Sequence, residues 1–326
     1  MNDSDRASAG MPVGRLAPSP TGLLHVGHAR SFLLAWWSIR ARGGRIVLRL
    51  EDLDADRVKP GMIDQTLRDL EWLGLDWDGE PVVQSSRSSS HARALEHLLE
   101  TAQAYPCVCT RKEIEAARSA PHADDSSTRY PGTCRDRFPT LAAAEQSTGR
   151  SAALRFRLPE DEPVVSFTDA FCGGRAYDVA KGVGDFPIAR KTGEAAYQLA
   201  VVVDDAFDGV TEVLRGDDLL PSTAQQRLLQ RALGLPEPTW IHVPLVVDDT
   251  GRRLAKRADD LALKTLRDEG VDPRALTAWV ARSAGMAVEG PVTAEGLVNA
   301  FRLDALPREP TVFGPEQRAA LSNATS

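Results

Sequence analysis

An apolar run that breaks on a Pro/Gly turn and reopens as a helix constrains this chain more than any other feature. The run is Arg15-Leu16-Ala17-Pro18-Ser19-Pro20-Thr21-Gly22-Leu23-Leu24-His25-Val26-Gly27-His28. Apolar residues 11–16, broken by Gly14, lead into it, and an apolar helical pattern follows from 29 to about 41. A strand, a tight turn and a helix met at its N-terminus gather backbone N–H groups and the positive end of a helix dipole at one point, which favours an anion. His25 and His28 stand at that junction. Gly27 between them has no side chain, so a flat ring such as a purine could lie close on the backbone. The residues read as a nucleotide site with imidazoles near the phosphates. Without its neighbours, the same His-x-x-His pair is equally a helix cap.

The pattern continues as alternating strand and helix. Residues 45–50 read as a second strand that ends in Glu51-Asp52. Carboxylates at that end of a strand face the crevice where doubly wound sheets bind ligands. Helices are expected over 60–73, with Gly74 as the stop, and over 90–104. His91 and His97 have no partner in sequence and read as structural or exposed. Strands are expected over 197–203, closing on Asp204-Asp205, over 211–215, and over 240–247. Ser222-Thr223 is positioned to cap a helix that runs to Leu233, with Gly234 after it. From about 260 the chain reads as helical to near 300. The last twenty residues, with three prolines and few apolar anchors, are expected to pack loosely. Strands alternating with helices imply a mostly parallel sheet.

The 326 residues divide as a flexible tail (1–12), a first half of a nucleotide fold (13–105), an irregular insertion (106–184), a second half (185–250), and a basic loop with a helical end (251–326). The polar start lacks the apolar core of a secretory signal, and no apolar run is long enough to span a membrane, so a cytoplasmic protein is expected. A net charge of −7 argues against a protein held on nucleic acid by bulk electrostatics. Local basic surface remains open: residues 105–158 carry nine Lys/Arg against six Asp/Glu.

Cys107, Cys109 and Cys134 fall close together, and Cys172 stands apart. In a large chain without a secretory signal, zinc is a better reading than a disulfide framework, and a structural zinc wants four donors. His122, Tyr130 and Cys172 are the candidates for the fourth, and chemistry alone favours His122 or Cys172.

The run 15–28 resembles the first signature of class I aminoacyl-tRNA synthetases in its glutamate-specific form. Cys107-Val108-Cys109-Thr110-Arg111 with Tyr130-Pro131-Gly132-Thr133-Cys134 resembles the zinc site of the glutamyl-Q tRNA(Asp) synthetases, in which the tyrosine is the fourth ligand. Arg253-Leu254-Ala255-Lys256-Arg257 resembles the second, KMSKS signature, with Arg253 for its first lysine and Ala255 for a serine. The resemblance implies a Rossmann-type doubly wound parallel α/β sheet with a zinc-bearing insertion and a small C-terminal helical part. It implies His25, His28 and Lys256 as catalytic residues, and His25, Gly27, His28, Arg253 and Lys256 as the ATP site, with Mg²⁺ accompanying ATP.

For glutamate, the side-chain carboxylate needs an arginine and the ammonium needs a carboxylate. Arg15, Leu16, Ala17, Pro18, Ser19, Glu51, Tyr197 and Arg215 fall where glutamate-specific synthetases bind the amino acid. Val201 stands where glutamyl-tRNA synthetases usually place asparagine, which favours the glutamyl-Q branch. The chain ends at Ser326 without the long helical anticodon-binding region of a full synthetase. The resemblance therefore implies tRNA-independent glutamate activation and transfer to queuosine in the anticodon loop of tRNA(Asp), by a monomer holding one structural zinc. A truncated synthetase charging a tRNA 3′ end and a non-catalytic paralogue are the alternatives.

Overall fold

The computed structural model describes residues 10–118, 129–254 and 261–323. Most of the expected tail, His122 and Lys256 lie outside the described residues. Strand β1 (Val13–Leu16) runs through the turn into helix α1 (Val26–Arg40), and β2 (Arg45–Leu50) returns parallel to β1. Helix α2 (Met62–Trp72) leads to the short strand β3 (Val82–Val83), parallel to β2, and then to α3 (Ser88–Glu100).

Between α3 and the next long helix come β4 (Ala104–Cys107), α4 (Arg111–Arg118), α5 (Leu141–Thr148), β5 (Ala153–Phe156), β6 (Val164–Asp169), β7 (Gly173–Asp178) and β8 (Pro187–Ala189). Strands β4, β5 and β8 form one antiparallel sheet, and β6 with β7 forms a hairpin. Beyond these come α6 (Tyr197–Asp208), β9 (Glu212–Gly216), α7 (Leu220–Leu233) and β10 (Thr239–Val243), with β10 parallel to β9.

The two parallel ladders, β1-β2-β3 and β9-β10, meet where Thr211 N donates to Val13 O at 2.8 Å. The chain thus leaves β1 in one direction and reaches β9 on the other side, and that change of direction opens a crevice at the C-terminal ends of the strands. The expected doubly wound α/β sheet is what the chain forms.

Five local expectations need correction. Residues 197–203 are not a strand: they open α6, whose C-cap Gly209 is left-handed at φ 67°. The Val201-Val202-Val203 run suggests a strand, but Leu199, Ala200, Val201 and Val202 are buried in the core shared with the insertion, and tertiary packing outweighs the weak helix preference of valine.

The strand expected over 240–247 is cut at Pro244, which offers no N–H to a ladder, into β10 and β11 (Val246–Val247). Thr223 does not cap α7, which starts at Leu220 with Pro221 in its first turn; Thr223 is buried.

Helix α8 (Leu263–Asp268) and α9 (Pro273–Ser283) replace the long helical end. Gly285 then turns the chain at φ 80°, where a Cβ would sit 2.5 Å from Ala305 O. The last residues are anchored: β12 (Thr311–Val312) pairs with β11, Phe313 meets Trp279 edge-on at 4.8 Å, and Leu321 of α10 (Pro315–Asn323) is buried. Among the described residues no helix is long and apolar enough to cross a membrane.

Candidate active site

Helix α1 is capped by imidazoles. His25 is the N-cap residue in extended conformation, its Nδ1 accepting from Gly27 N at 3.1 Å, and His28 Nδ1 accepts from His25 N at 3.1 Å. This reciprocal arrangement is usually built from Ser/Thr and Glu. Here both rings must be unprotonated at Nδ1, which turns each Nε2 outward from the backbone. The rings lie 3.8 Å apart, with Phe32 stacked beyond His28. The capping and nucleotide readings of the pair are therefore compatible. A Cβ on residue 27 would fall 2.9 Å from His25 Cε1, so the glycine also makes room for the histidine ring.

A cavity of about 380 Å³ opens in front of this cap, between β1 and β9. Arg15, Ala17, Pro18, Ser19, Glu51, Tyr197 and Arg215 line it together with His25, Gly27, His28 and Arg253. Of the expected glutamate-binding residues, only Leu16 is absent from the wall; it is buried in the main core. Tyr197 reaches the wall from the first turn of α6, with its surface 39% exposed. Val201, one turn further on, is buried.

The charges behind the wall are ordered. Arg49 is fully buried and binds Asp205 at 2.7 Å, Asp208 at 3.1 Å and Glu51 at 3.4 Å. Asp205 also pairs with Arg15 at 3.6 Å, and Asp204 accepts from His91 at 2.9 Å. His91 is thus structural and buried. Asp204 and Asp205 work from a helix, not a strand end. Burial holds the Glu51 carboxyl above the usual carboxylate range, with Arg49 and Arg15 opposing that shift.

Arg215 has a different environment. Its Nε donates to His242 Nε2 at 3.0 Å, and its Nη2 donates to Thr223 Oγ1 and Gln226 Oε1, both at 2.8 Å. None of these acceptors is a carboxylate. Its Nη1 is buried without a hydrogen bond. His242 is in turn bound through Nδ1 to Asp169 Oδ2 at 2.6 Å. Sequence reasoning missed His242, Asp169, Thr223 and Gln226 as site residues. The available signal was a histidine and an aspartate in step with the apolar positions of their strands, and two polar residues three apart on the helix after Arg215.

Arg253 stands at the cavity mouth, ion-paired with Asp218 at 2.7 Å. Leu254 also lines the cavity, and beyond the undescribed 255–260 the chain resumes against the cap, with Leu263 N donating to Leu24 O at 2.8 Å.

The cysteine cluster sits in a small core of its own. The Sγ atoms of Cys107, Cys109 and Cys134 lie within 4.8 Å of one another, and Tyr130 Oη is 3.4 Å from Cys107 Sγ and 3.7 Å from Cys109 Sγ. Bonds of about 2.3 Å to one zinc put thiolates just under 4 Å apart, so the donor set suits that ion. Arg155 donates to Cys107 Sγ at 3.3 Å and stacks on the Tyr130 ring at 3.7 Å. Burial pushes the Cys107 thiol up, but hydrogen bonds from Tyr130 and Arg155 outweigh it and hold the thiol below its ordinary value. Cys172 is elsewhere, its thiol donating to His242 O at 3.2 Å.

A second, more open hollow of about 480 Å³ is lined by Arg135, Arg157 and Arg231. Each is already paired, with Asp185, Asp136 and Glu162 respectively, so it presents no unmatched charge.

Comparison with known proteins agrees with this geometry. The family model described as tRNA synthetases class I (E and Q), catalytic domain, matches residues 13–317. The chain is 44% identical to the glutamyl-Q tRNA(Asp) synthetase of Symbiobacterium thermophilum, over 97% of this chain and 100% of that protein. It is 39% identical to a glutamate–tRNA ligase from a Synechococcus strain, over 89% of this chain but 61% of that protein. The crystal structure of glutamate-tRNA synthetase from Elizabethkingia anophelis superimposes with a TM-score of 0.81 at 26% identity, over 94% of this chain and 69% of that one. The chain belongs to the catalytic-domain family of class I tRNA synthetases (E and Q), and within it groups with the glutamyl-Q tRNA(Asp) synthetases.

Proposed function

We propose that this chain activates L-glutamate with ATP and transfers the glutamyl group to the queuosine at the wobble position of tRNA(Asp). One observation carries the reading: two buried guanidinium groups line one cavity, and Arg215 has no carboxylate hydrogen-bonded to it. An acidic side chain supplies the missing anion, and a charge-assisted pair in such a site discriminates strongly against a neutral amide. End-to-end similarity to the Symbiobacterium thermophilum protein favours the glutamyl-Q branch over a 3′-end-charging enzyme.

In this reading Arg15 and Arg215 take the side-chain carboxylate, with the backbone of residues 17–19 shaping the pocket. Glu51 takes the ammonium, and Tyr197 donates its hydroxyl to the amino acid. The α-carboxylate is left to attack the α-phosphorus of ATP, breaking the bond to pyrophosphate and forming glutamyl-adenylate. His25, Gly27 and His28 seat the nucleotide. Arg253 and Lys256 offset the charge that grows on the leaving pyrophosphate, together with Mg²⁺ bound to ATP. A queuosine hydroxyl then attacks the activated carbonyl, loses its proton and expels AMP. Positioning and charge stabilisation suffice for both steps.

Cys107, Cys109, Cys134 and Tyr130 would hold one zinc, which cross-links the insertion and takes no part in the chemistry. We treat 13–105 and 185–250 as the catalytic halves and 106–184 as the insertion that receives the anticodon loop, in a monomer working in the cytoplasm.

Pyrophosphate exchange with glutamate, ATP and no tRNA tests the first step. Exchange with glutamate and not with glutamine supports the reading. A blank with glutamate contradicts it.

A further inference from the structure

The wall of the cavity has a second layer that the proposed chemistry does not use. His242 is fully buried on β10, between Asp169 at the end of β6 and Arg215 on β9. Its Nδ1 lies 2.6 Å from Asp169 Oδ2 and its Nε2 3.0 Å from Arg215 Nε. Arginine nitrogens only donate, so Nε2 must accept, and the proton of a neutral ring must sit on Nδ1, directed at Asp169. Asp169 is itself fixed by the backbone N–H groups of Phe171 at 3.0 Å and Cys172 at 2.7 Å. Donation therefore runs one way, from guanidinium through imidazole to carboxylate. Trp240 closes it from the side, stacked on His242 and lying 5.1 Å from the Arg215 guanidinium carbon.

The consequence concerns charge as much as position. Had a carboxylate taken Arg215 Nε directly, the pair would be neutral, and a ligand carboxylate would meet a spent cation. A neutral imidazole aims the guanidinium without cancelling its charge. Thr223 Oγ1 and Gln226 Oε1 treat Nη2 in the same way, which leaves Nη1 without a partner.

We propose that His242, oriented by Asp169, is a positioning residue that sets the selectivity of the site for an acidic over an amide side chain, by holding Arg215 in place with its charge unneutralised. The inference rests on the proposed glutamate-activating function. Protonated His242 could no longer accept from Arg215 and would set a second cation beside it. The other charged or titratable groups around the ring are Asp169 on β6, Arg15 on β1, Cys172 beside the His242 carbonyl, and Asp217 in the turn packed against β10. Burial lowers the His242 pKa, and Arg215 and Arg15 act in the same direction while Asp169 opposes them, so the accepting form persists through neutral pH.

The test is amino-acid-dependent pyrophosphate exchange on the full chain from pH 5.5 to 8.5. The purified wild-type protein is compared with His242→Phe, which removes the acceptor, and His242→Gln, which keeps an uncharged acceptor oxygen that cannot titrate. His242→Phe is expected to raise the glutamate KM at least tenfold, leave the ATP KM within twofold, and narrow the preference for glutamate over glutamine. His242→Gln is expected to restore most of the affinity at pH 7.5 and to lack the acid-side rise in glutamate KM expected of the wild type. If His242→Phe does not fold, the pH profile of His242→Gln decides alone.

Folded variants with unchanged glutamate KM and unchanged acid limb would overturn the inference, as would equal loss for both substrates. A wild-type protein inactive with glutamate would overturn the function on which it rests, a separate result.

Discussion

The Cβ that Gly27 lacks would lie 2.9 Å from Cε1 and 3.1 Å from Nδ1 of His25, the atom that caps helix α1. Any side chain at 27 therefore pushes the imidazole off the backbone N–H it accepts from. Gly27→Ala is expected to lower glutamate-dependent pyrophosphate exchange by about 10²-fold, the scale of losing one preorganised group at the reacting phosphates. The thermal midpoint should move by only a few degrees, because a cap is worth about 1 kcal/mol. Steady-state kinetics with a melting curve checks both.

Arg253 reaches Asp218 at 2.7 Å at the cavity mouth, and both side chains are partly solvated. A phosphate that takes Arg253 must draw it from that partner. Arg253→Gln is expected to slow adenylation by about 10-fold to 10²-fold, in keeping with the loss of one charge that stabilises the leaving group. Asp218→Asn should instead lower the ATP KM by a few-fold. Rapid-quench measurement of adenylate formation separates the two effects.

The Cys107, Cys109, Cys134 and Tyr130 cluster should bind one zinc per chain, measured by elemental analysis of protein purified without chelator. Cys134→Ser is expected to lose the metal and lower the thermal midpoint, since structural zinc contributes directly to folding. Tyr130→Phe should weaken zinc retention against a competing chelator while the three thiols still hold it.

Asp69 is fully buried on α2, accepting from Gln65 and from Arg267, both at 2.8 Å. Burial pushes its carboxyl up to about 6, with Arg267 and Gln65 opposing the shift. Between about pH 4 and pH 6 the folded chain then holds more protons than the unfolded chain. Stability from this group accordingly falls as pH rises through that window. Asp69→Asn cannot titrate, so its thermal midpoint relative to wild type should climb from pH 4 to pH 6. A flat difference curve would show that the buried carboxyl titrates no differently from an exposed one.

What could be read from the chain and what could not divides along locality. The strand–turn–helix junction at 15–28 is legible because its prolines, glycines and histidines act within a few residues of one another. The thiol cluster is legible for the same reason, but donor chemistry alone points away from Tyr130, which only the family resemblance names; folding sets Tyr130 Oη 3.4 Å from Cys107 Sγ, while Cys172 is drawn away to His242. Helix α6 was hidden by a run of three valines, of which Val201 and Val202 are buried in a core shared with β5, β6 and β8. The Asp169–His242 pair spans 73 residues, and no periodicity in either strand points to the other. Phe313 shows the same limit at the C-terminus, where one well-placed ring ties down a segment whose composition suggests looseness.

Transfer of labelled glutamate to tRNA(Asp) carrying queuosine, set beside the same tRNA with unmodified guanosine, tests the central claim most directly. Label should appear on the queuosine-containing tRNA, on its isolated anticodon stem-loop as well as on the whole molecule, and not on an acceptor-stem minihelix. Equal labelling of both tRNAs, or labelling of the minihelix, would contradict the account and point to esterification of a 3′ end.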